Sequence, residues 1–182
     1  MGHAMEGAPA TPGIPKVFQP KTLNTEGVPA TSTVSDILHP MIRTCPACGA
    51  RNRVQPRQAS KTARCGACKA TLPPIAEPLE VDRQAFTDIV QSSDVPVLVD
   101  FWAAWCGPCR TAAPIVRELA QDVAGRALVL KVDTEAEPEL GARFGVQAIP
   151  NFVVLKAGQV VRQHPGLASR EQMRRWLEDA GA

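Results

Sequence analysis

The sequence predicts an α/β protein in which helices flank a mixed central sheet, preceded by a small module built on four cysteines. Two observations support this fold class. After the stiff segment Leu72-Pro73-Pro74, short β-rich apolar runs alternate with stretches of helical apolar spacing, which is typical of a sheet covered by helices. Before it, two Cys-x-x-Cys pairs lie in a segment too short to build a large apolar core. The length of 182 residues suits one ordinary domain with a small appendage.

Composition divides the chain into three segments. Residues 1–40 contain six Pro, four Gly and seven Ser or Thr with no sustained periodicity, so we expect a disordered N-terminal tail, either native or added for expression. Residues 41–75 carry seven basic and no acidic residues and form the predicted zinc-binding module and linker. Residues 76–182 carry eleven basic and fifteen acidic residues and form the predicted α/β domain. The small net charge of +2 therefore conceals a basic module joined to an acidic domain.

The apolar patterns argue against a membrane protein. No apolar run has the length of a bilayer span, and residues 1–40 lack the apolar centre of a signal peptide. All six cysteines fall in Cys-x-x-Cys pairs, which in a reducing compartment indicate metal or redox sites rather than a disulfide framework. We therefore expect a cytoplasmic protein without a membrane partner.

The elements of the α/β domain follow in order from local signals. A short strand is predicted at residues 79–81, and Asp82 is placed to cap a helix that runs to about residue 91. The β-rich apolar run at 95–102 predicts a strand buried on both faces of the sheet. Apolar residues at helical spacing then predict a helix over 110–124, which a glycine ends.

The second half of the domain continues this alternation. Its predicted elements are a strand at 127–132, a short helix at 138–144 and hairpin strands at 152–156 and 159–162. His164 is expected in an exposed loop after the hairpin. Ser169 is placed to cap the last helix, with Gln172 at the capping-box position. The predicted order is β-α-β-α-β-α-β-β-α.

The short run Trp105-Cys106-Gly107-Pro108-Cys109 lies between the buried strand and the helix that follows it. Two thiols separated by two residues form and reopen a small disulfide ring, which is the chemistry of thiol–disulfide exchange. The start of a helix favours a thiolate, because its N–H groups and dipole stabilise negative charge. A bare Cys-x-x-Cys more often binds a metal, and its position at a strand-to-helix turn is what favours a redox role.

Cys45, Cys48, Cys65 and Cys68 form the other two Cys-x-x-Cys pairs, separated by sixteen residues. This spacing is typical of two knuckles that close on one tetrahedral zinc ion through four thiolates. The surrounding Lys and Arg residues would offset the negative charge of such a site. We therefore predict zinc, with a rubredoxin-like iron site or two disulfides as the alternatives.

Residues 99–110, VDFWAAWCGPCR, resemble the active-site strand and turn of thioredoxins. Ala148-Ile149-Pro150, the hairpin after it and Gly166 are similar to the remaining landmarks of that family. The resemblance covers about residues 79–182, and it implies the thioredoxin fold and an enzyme that acts as a protein-disulfide reductase. The Gly107-Pro108 dipeptide is similar to that of the reducing members, which disfavours an oxidase or an isomerase.

The resemblance implies a role for each residue of the site. Cys106 is the expected nucleophile, with the more exposed sulfur, and Cys109 is the expected resolving thiol, so that the pair forms a redox-active disulfide. Asp100 is expected to be a buried carboxylate of raised pKa that helps to deprotonate Cys109 through water, with Lys131 as its charged partner. The alternatives are an Asp100 hydrogen-bonded to backbone at a strand end and a solvated Lys131 at a strand edge.

The resemblance also implies a substrate-binding surface that comprises Trp105, Gly107, Pro108, Ile149, Pro150 and Gly166. The Ile149-Pro150 peptide bond is expected to be cis, with the Ile149 backbone available for strand-like hydrogen bonds to a client; an ordinary trans loop proline is the alternative. Asn151 departs from the family pattern, because many thioredoxins have Thr at that position.

With the four-cysteine module included, the chain resembles the zinc-binding class of bacterial thioredoxins, the thioredoxin 2 class, over about residues 41–182. This resemblance implies one structural zinc ion, disulfide-containing client proteins and recharging of the dithiol by thioredoxin reductase, an NADPH-dependent flavoenzyme. The module either stabilises the fold or regulates partner choice and redox response. The rival hypothesis is a zinc module that binds nucleic acid or protein and has a secondary redox role. Residues 41–75 contain no aromatic residue, so we do not expect nucleic acid as a partner.

Overall fold

The computed structural model describes residues 41–182, so the predicted N-terminal tail lies outside the described residues. In chain order the elements are β1 (Met41–Thr44), β2 (Arg51–Val54), a 3₁₀ turn (Pro56–Gln58), β3 (Ala63–Arg64), β4 (Thr71–Leu72), β5 (Leu79–Glu80), α1 (Arg83–Ser92), β6 (Val97–Trp102), α2 (Gly107–Asp122), β7 (Leu128–Asp133), α3 (Pro138–Arg143), β8 (Asn151–Lys156), β9 (Gln159–Pro165) and α4 (Arg170–Asp179). Within residues 41–182, no helix is both long enough and apolar enough to cross a bilayer.

Strands β5 to β9 form one five-stranded sheet in the order β5-β7-β6-β8-β9. The pairs β5–β7 and β6–β7 are parallel, whereas β6–β8 and β8–β9 are antiparallel. The sheet is therefore mixed, and from β5 onward the elements follow the predicted order β-α-β-α-β-α-β-β-α. This confirms the α/β fold class that the sequence predicts, with β6 in the centre of the sheet.

Alternation along the central strands sorts their side chains between two cores. In β6, Phe101 lies in the core with α1 and α3, whereas Leu98 lies in the core with α2 and α4. Asp100 is two residues after Leu98, so it lies on the face of the sheet that α2 covers. Lys131 follows the same rule in β7, because it is two residues after Val129 of the same core. The Asp100 carboxylate and the Lys131 ammonium group therefore lie on the same face of the sheet, the face that α2 covers.

The predicted element boundaries are mostly correct to within two residues, with two errors. α2 begins at Gly107, three residues before the prediction, because a proline is compatible with the first turn of a helix. β9 extends far enough to include His164, which therefore lies in a strand rather than in a loop, with its ring 5.1 Å from the ring of Trp176. The predicted N-caps at Asp82 and Ser169 are both present, the second in a capping box.

Two small antiparallel hairpins, β1–β2 and β3–β4, carry the four remaining cysteines. The 3₁₀ turn between them packs against α1, and Ala59, directly after this turn, is fully buried in the core that α1 shares with the sheet. The Ile75 N–H donates to the Ala59 carbonyl at 3.1 Å, and Lys61 forms an ion pair with Asp94 at 2.6 Å. The segment that joins the two hairpins is therefore packed onto the α1 side of the fold.

Candidate redox site and four-cysteine cluster

Cys106 lies at the junction of β6 and α2, where it is the N-cap of the helix. Its Sγ accepts a hydrogen bond from the Cys109 backbone N–H at 3.1 Å, and Gly107 and Pro108 occupy the first two helical positions between them. The two cysteines form a disulfide with a Cα–Cα distance of 5.3 Å, so this is the oxidised form of the pair. An N-cap sulfur faces free N–H groups and the positive end of the helix dipole, so a thiolate at Cys106 is stabilised after reduction.

The exposed fractions of the two cysteine residues are nearly equal in the oxidised pair. Cys106 is 3% exposed and Cys109 is 4% exposed, so Cys106 is not the more exposed residue of the oxidised pair. The reason is that the loop before β8 covers it, with the Ile149 carbonyl oxygen 3.7 Å from Cys106 Sγ. The two cysteines differ instead in position, because Cys106 caps the helix and Cys109 lies inside its first turn.

Trp105 and the loop before β8 form the rim of the site. The Ile149-Pro150 peptide bond is cis, as predicted, and the Gly166 N–H donates to the Pro150 carbonyl at 2.7 Å, which ties this loop to the residue after β9. Trp105 is 66% exposed, an unusual exposure for a large aromatic side chain. A groove of about 500 Å³ runs between Trp105 and Ile149. The rim therefore combines an exposed aromatic side chain with a concave surface next to the disulfide.

Asp100 is the buried carboxylate on the same face of the sheet. It is 2% exposed, and its Oδ1 has no hydrogen-bond partner among the described residues. Burial raises the pKa of Asp100 to about 7, because apolar surroundings disfavour the charged form, and the charge of Lys131 opposes this effect only in part. A carboxyl with a pKa close to neutrality accepts and releases a proton at physiological pH.

Lys131 lies directly opposite Asp100 in the β6–β7 register, but no ion pair joins the two side chains. Its Nζ instead lies 2.9 Å from Glu80 Oε1 and 4.0 Å from the centre of the Trp102 ring. The Lys131 side chain is 18% exposed, so it is not a freely solvated residue at a strand edge. Lys131 acts on Asp100 through its charge at a distance, and Glu80 is a neighbour of the site that the sequence analysis missed.

The four predicted zinc ligands converge on one point. The Sγ atoms of Cys45, Cys48, Cys65 and Cys68 all lie within 4.8 Å of one another. The Cys45–Cys68 and Cys48–Cys65 sulfur pairs are 3.6 and 3.7 Å apart, and none of these cysteines is in a disulfide. A tetrahedral zinc ion with Zn–S bonds of about 2.3 Å requires sulfurs about 3.8 Å apart. The donor set and its spacing therefore fit zinc.

Each of these cysteine pairs lies in the same kind of backbone turn. The Gly49 N–H donates to the Cys45 carbonyl at 2.9 Å, and the Lys69 N–H donates to the Cys65 carbonyl at 3.1 Å. Gly49 and Lys69 have positive φ angles of 71° and 63°. Glycine adopts this conformation freely, whereas a lysine does so at a cost in free energy. The second turn therefore keeps the shape of the first in spite of its residue type.

Comparison with known proteins identifies the family. The family model described as Thioredoxin matches residues 77–179, more than half of the chain. The chain belongs to the thioredoxin family. Its five-stranded mixed sheet with flanking helices is the thioredoxin fold, as the sequence resemblance implies, and it is an enzyme of the protein-disulfide oxidoreductase class.

Individual thioredoxins agree with this assignment. Thioredoxin C-3 of Corynebacterium nephridii is 38% identical over 138 residues, which are 76% of this chain and 94% of the relative. Thioredoxin 1 of a Nostoc species is 42% identical over 99 residues, which are 54% of this chain and 92% of the relative. Among solved structures, a mutant thioredoxin from Halobacterium salinarum has 34% identity and a TM-score of 0.56, covering 62% of this chain and 97% of that chain. Thioredoxin f from spinach chloroplast has 29% identity and a TM-score of 0.55, covering 59% of this chain and 89% of that chain.

In this thioredoxin, the four-cysteine cluster has a polar neighbour that the sequence analysis missed. Asn52 donates from Nδ2 to Cys65 Sγ at 3.6 Å and accepts the Gly66 N–H at Oδ1 at 2.8 Å. The backbone N–H of Cys68, with smaller contributions from Ala67 and Asn52, lowers the pKa of the Cys65 thiol to about 6 against the opposing effect of burial. Such donors orient metal-ligating thiolates and stabilise their charge. No sequence pattern marks Asn52, because its contacts join β2 to a turn 14 residues away.

Proposed function

We propose that this thioredoxin reduces disulfide bonds of client proteins through Cys106 and Cys109. The observation that carries the proposal is the position of Cys106, which caps α2 beside the loop that contains the cis peptide bond. A thiolate at a helix N-terminus is stabilised near neutral pH and is the nucleophile in thiol–disulfide exchange. The neighbouring groove and the exposed Trp105 supply a surface on which an extended client segment would lie.

The exchange takes place in two balanced steps. First, the Cys106 thiolate attacks one sulfur of the client disulfide; a mixed disulfide forms, and the other client sulfur leaves as a thiolate that takes up a proton. Second, the Cys109 thiolate attacks Cys106 Sγ, the mixed disulfide breaks and the second client sulfur is released. The client gains two electrons and two protons, and the dithiol becomes the disulfide seen in this structure.

Cys109 must lose its proton before the second step, and Asp100 is the proposed acceptor, acting through water. The buried position of Asp100, on the sheet face that α2 covers, supports this role, because burial holds its pKa at about 7. Replacing Asp100 by Asn is expected to slow the second step at neutral pH and to change its pH–rate profile. An unchanged profile would remove Asp100 from the mechanism.

We propose that electrons return to the disulfide from NADPH through thioredoxin reductase, a flavoenzyme, and that the protein works in the cytoplasm. Membership of the thioredoxin family supports the first statement, because thioredoxins in general work with such a reductase. The confinement of all six cysteines to Cys-x-x-Cys pairs supports the second, because these pairs suit a reducing compartment.

We propose that the four-cysteine cluster binds one zinc ion as four thiolates, which places this chain in the zinc-containing class of bacterial thioredoxins. The separations between the sulfurs support this, as does the Asn52 hydrogen bond to one of them. When bound, zinc would cross-link the two hairpins and supply much of their folding free energy. The alignment with the Corynebacterium nephridii thioredoxin gives further support: its 138 residues exceed the 107 residues of 76–182, so it extends into the module.

Reduction of insulin, coupled to NADPH oxidation through thioredoxin reductase, tests the proposed redox function. We expect turnover by the wild type, none by Cys106→Ser, and a trapped mixed disulfide in Cys109→Ser. Ala104→Ser is the matched control, because it places a hydroxyl in the same turn and leaves both thiols intact. An adduct that accumulates in Cys106→Ser and not in Cys109→Ser would reverse the two roles, and turnover by both variants would exclude this dithiol.

A second candidate function is binding of nucleic acid or an acidic protein by the module. It is favoured by the exposed face of β1–β2, where Arg51 and Arg53 lie on the same side as Ile42, and where neither arginine has an ion pair with a described residue. Gel retardation at physiological salt tests it, with the double substitution Arg51→Ala and Arg53→Ala as the comparison. Retardation that the double substitution abolishes would support this function, and no retardation of the wild type would exclude nucleic acid.

A further inference from the structure

Glu80 lies beside the redox site, and neither the family resemblance nor the family assignment gives it a role. We propose that Glu80 is a positioning residue that holds the Lys131 ammonium group away from Asp100 and so keeps the Asp100 carboxyl free to exchange a proton with the dithiol. The inference rests on the proposed function of Asp100 as the proton acceptor of Cys109.

The registers of the sheet set these three side chains in one row. The β5–β7 register places Glu80 opposite Lys131, and the β6–β7 register places Lys131 opposite Asp100. Lys131 therefore lies between two carboxylates, one on the edge strand and one on the central strand. A lysine has a flexible four-carbon stem with which it can bend toward either neighbour. The neighbour toward which Lys131 bends determines how strongly its charge acts on Asp100.

In this structure Lys131 is bonded to the outer carboxylate. Its Nζ lies 2.9 Å from Glu80 Oε1, and the ring of Trp102 lies 4.0 Å from the same atom. Asp100 Oδ1 has no hydrogen-bond partner among residues 41–182. A carboxylate paired directly with an ammonium group becomes a weak base, because the pair favours the charged form. The Glu80 contact therefore prevents an ion pair that would reduce the ability of Asp100 to take up a proton at neutral pH.

The surroundings of this row contain several other charges. One opening beside Lys131 is lined by Glu77, Glu80 and Arg117. A second opening beside Lys131 is lined by Glu80, Asp82, Asp133 and Glu137. Of these acidic residues, Glu80 is the one bonded to Lys131 within the described part of the chain. On the other side of Asp100, β8 presents Phe152, and the Cys106–Cys109 disulfide does not titrate. Titration of Asp100 in the oxidised protein is therefore governed by burial and by the position of Lys131.

Nuclear magnetic resonance titration of the Asp100 carboxyl carbon, in the oxidised full-length protein, measures the predicted effect. We expect Glu80→Gln to release Lys131 toward Asp100 and to lower the pKa of Asp100 by about one pH unit, the lower end of the effect of an opposite charge within about 4–6 Å of a carboxyl. Glu77→Gln is the matched control, because it removes a charge from the same opening without touching Lys131. It should change the midpoint by less than about 0.3 pH units.

A double-mutant cycle separates positioning from a direct effect of the Glu80 charge. In the Lys131→Met background, Glu80→Gln should leave the Asp100 midpoint unchanged, because there is no ammonium group to reposition. A remaining effect of Glu80→Gln in that background would overturn the proposal, as would an unchanged midpoint with Lys131 present. The role of Asp100 itself is tested separately by the pH–rate profile of Asp100→Asn. If that profile is unchanged while Glu80→Gln still lowers the midpoint, the proton-transfer function fails and the positioning of Lys131 stands.

Discussion

The buried carboxyl of Asp100 should make the stability of the fold depend on pH. Burial raises the pKa of Asp100 to about 7 in the folded chain, whereas an exposed Asp has a pKa of about 3.9. Between these two values the folded state binds the proton more tightly than the unfolded state, so the free energy of unfolding falls as the pH rises. Each pH unit in this window costs about 1.4 kcal/mol, which makes about 4 kcal/mol in total. The loss begins near pH 4 and is complete above pH 7.

The substitution Asp100→Asn removes the titrating group and keeps nearly the same shape. Its stability relative to the wild type should therefore rise by about 4 kcal/mol between pH 4 and pH 8, whatever constant cost the buried amide adds. Guanidinium unfolding of the oxidised protein at a series of pH values measures this difference. Because the two proteins share every other titrating group, the pH dependence of the difference isolates Asp100.

Asp179→Asn is the control for this series, because Asp179 is exposed at the end of α4. Its stability relative to the wild type should stay nearly constant over the same pH range. The reasoning is refuted if the difference between the wild type and Asp100→Asn does not grow between pH 5 and pH 8.

Two further predictions concern the four-cysteine cluster. Lys69→Gly relieves a positive φ of 63° and should stabilise the cluster by about 1 kcal/mol, which would be measured as slower loss of metal to a competing chelator. Gly49→Ala, at a φ of 71°, should have the opposite effect. Equal rates of metal loss from the wild type and the two variants would show that the backbone at Lys69 is not strained. Metal analysis should detect about one zinc ion per chain, and strong chelation or the pair Cys45→Ser and Cys48→Ser should unfold residues 41–75 while insulin reduction persists. Amide exchange and turnover measured on the same sample check this, and loss of turnover would mean that the cluster and the redox site are not independent.

Sequence signals within one turn of the chain predict the local structure of this protein. They do not predict contacts between segments that are distant in the sequence. The cap at Ser169 is predictable because a cap needs only residues of the first turn. The placement of the dithiol between a strand and a helix is predictable for the same reason. The Lys131–Glu80 pair joins residues 51 apart through the β5–β7 register, so no local pattern indicates it. The low exposure of Cys106 likewise depends on a loop 43 residues away.

The burial of Ala59 affects where this protein can be shortened. The family match begins at residue 77, which suggests a smaller enzyme without the four-cysteine hairpins. Cutting the chain there would remove Ala59 from its contact with the core that contains Phe86 and Ile89, and it would open apolar surface of α1 to water. The segment between the two hairpins therefore covers part of the α1 side of the core, and its loss would lower the stability of the fold without removing the dithiol. A descendant that lost residues 41–75 would keep its stability only if another group covered this apolar surface of α1, whether or not it still needed the metal.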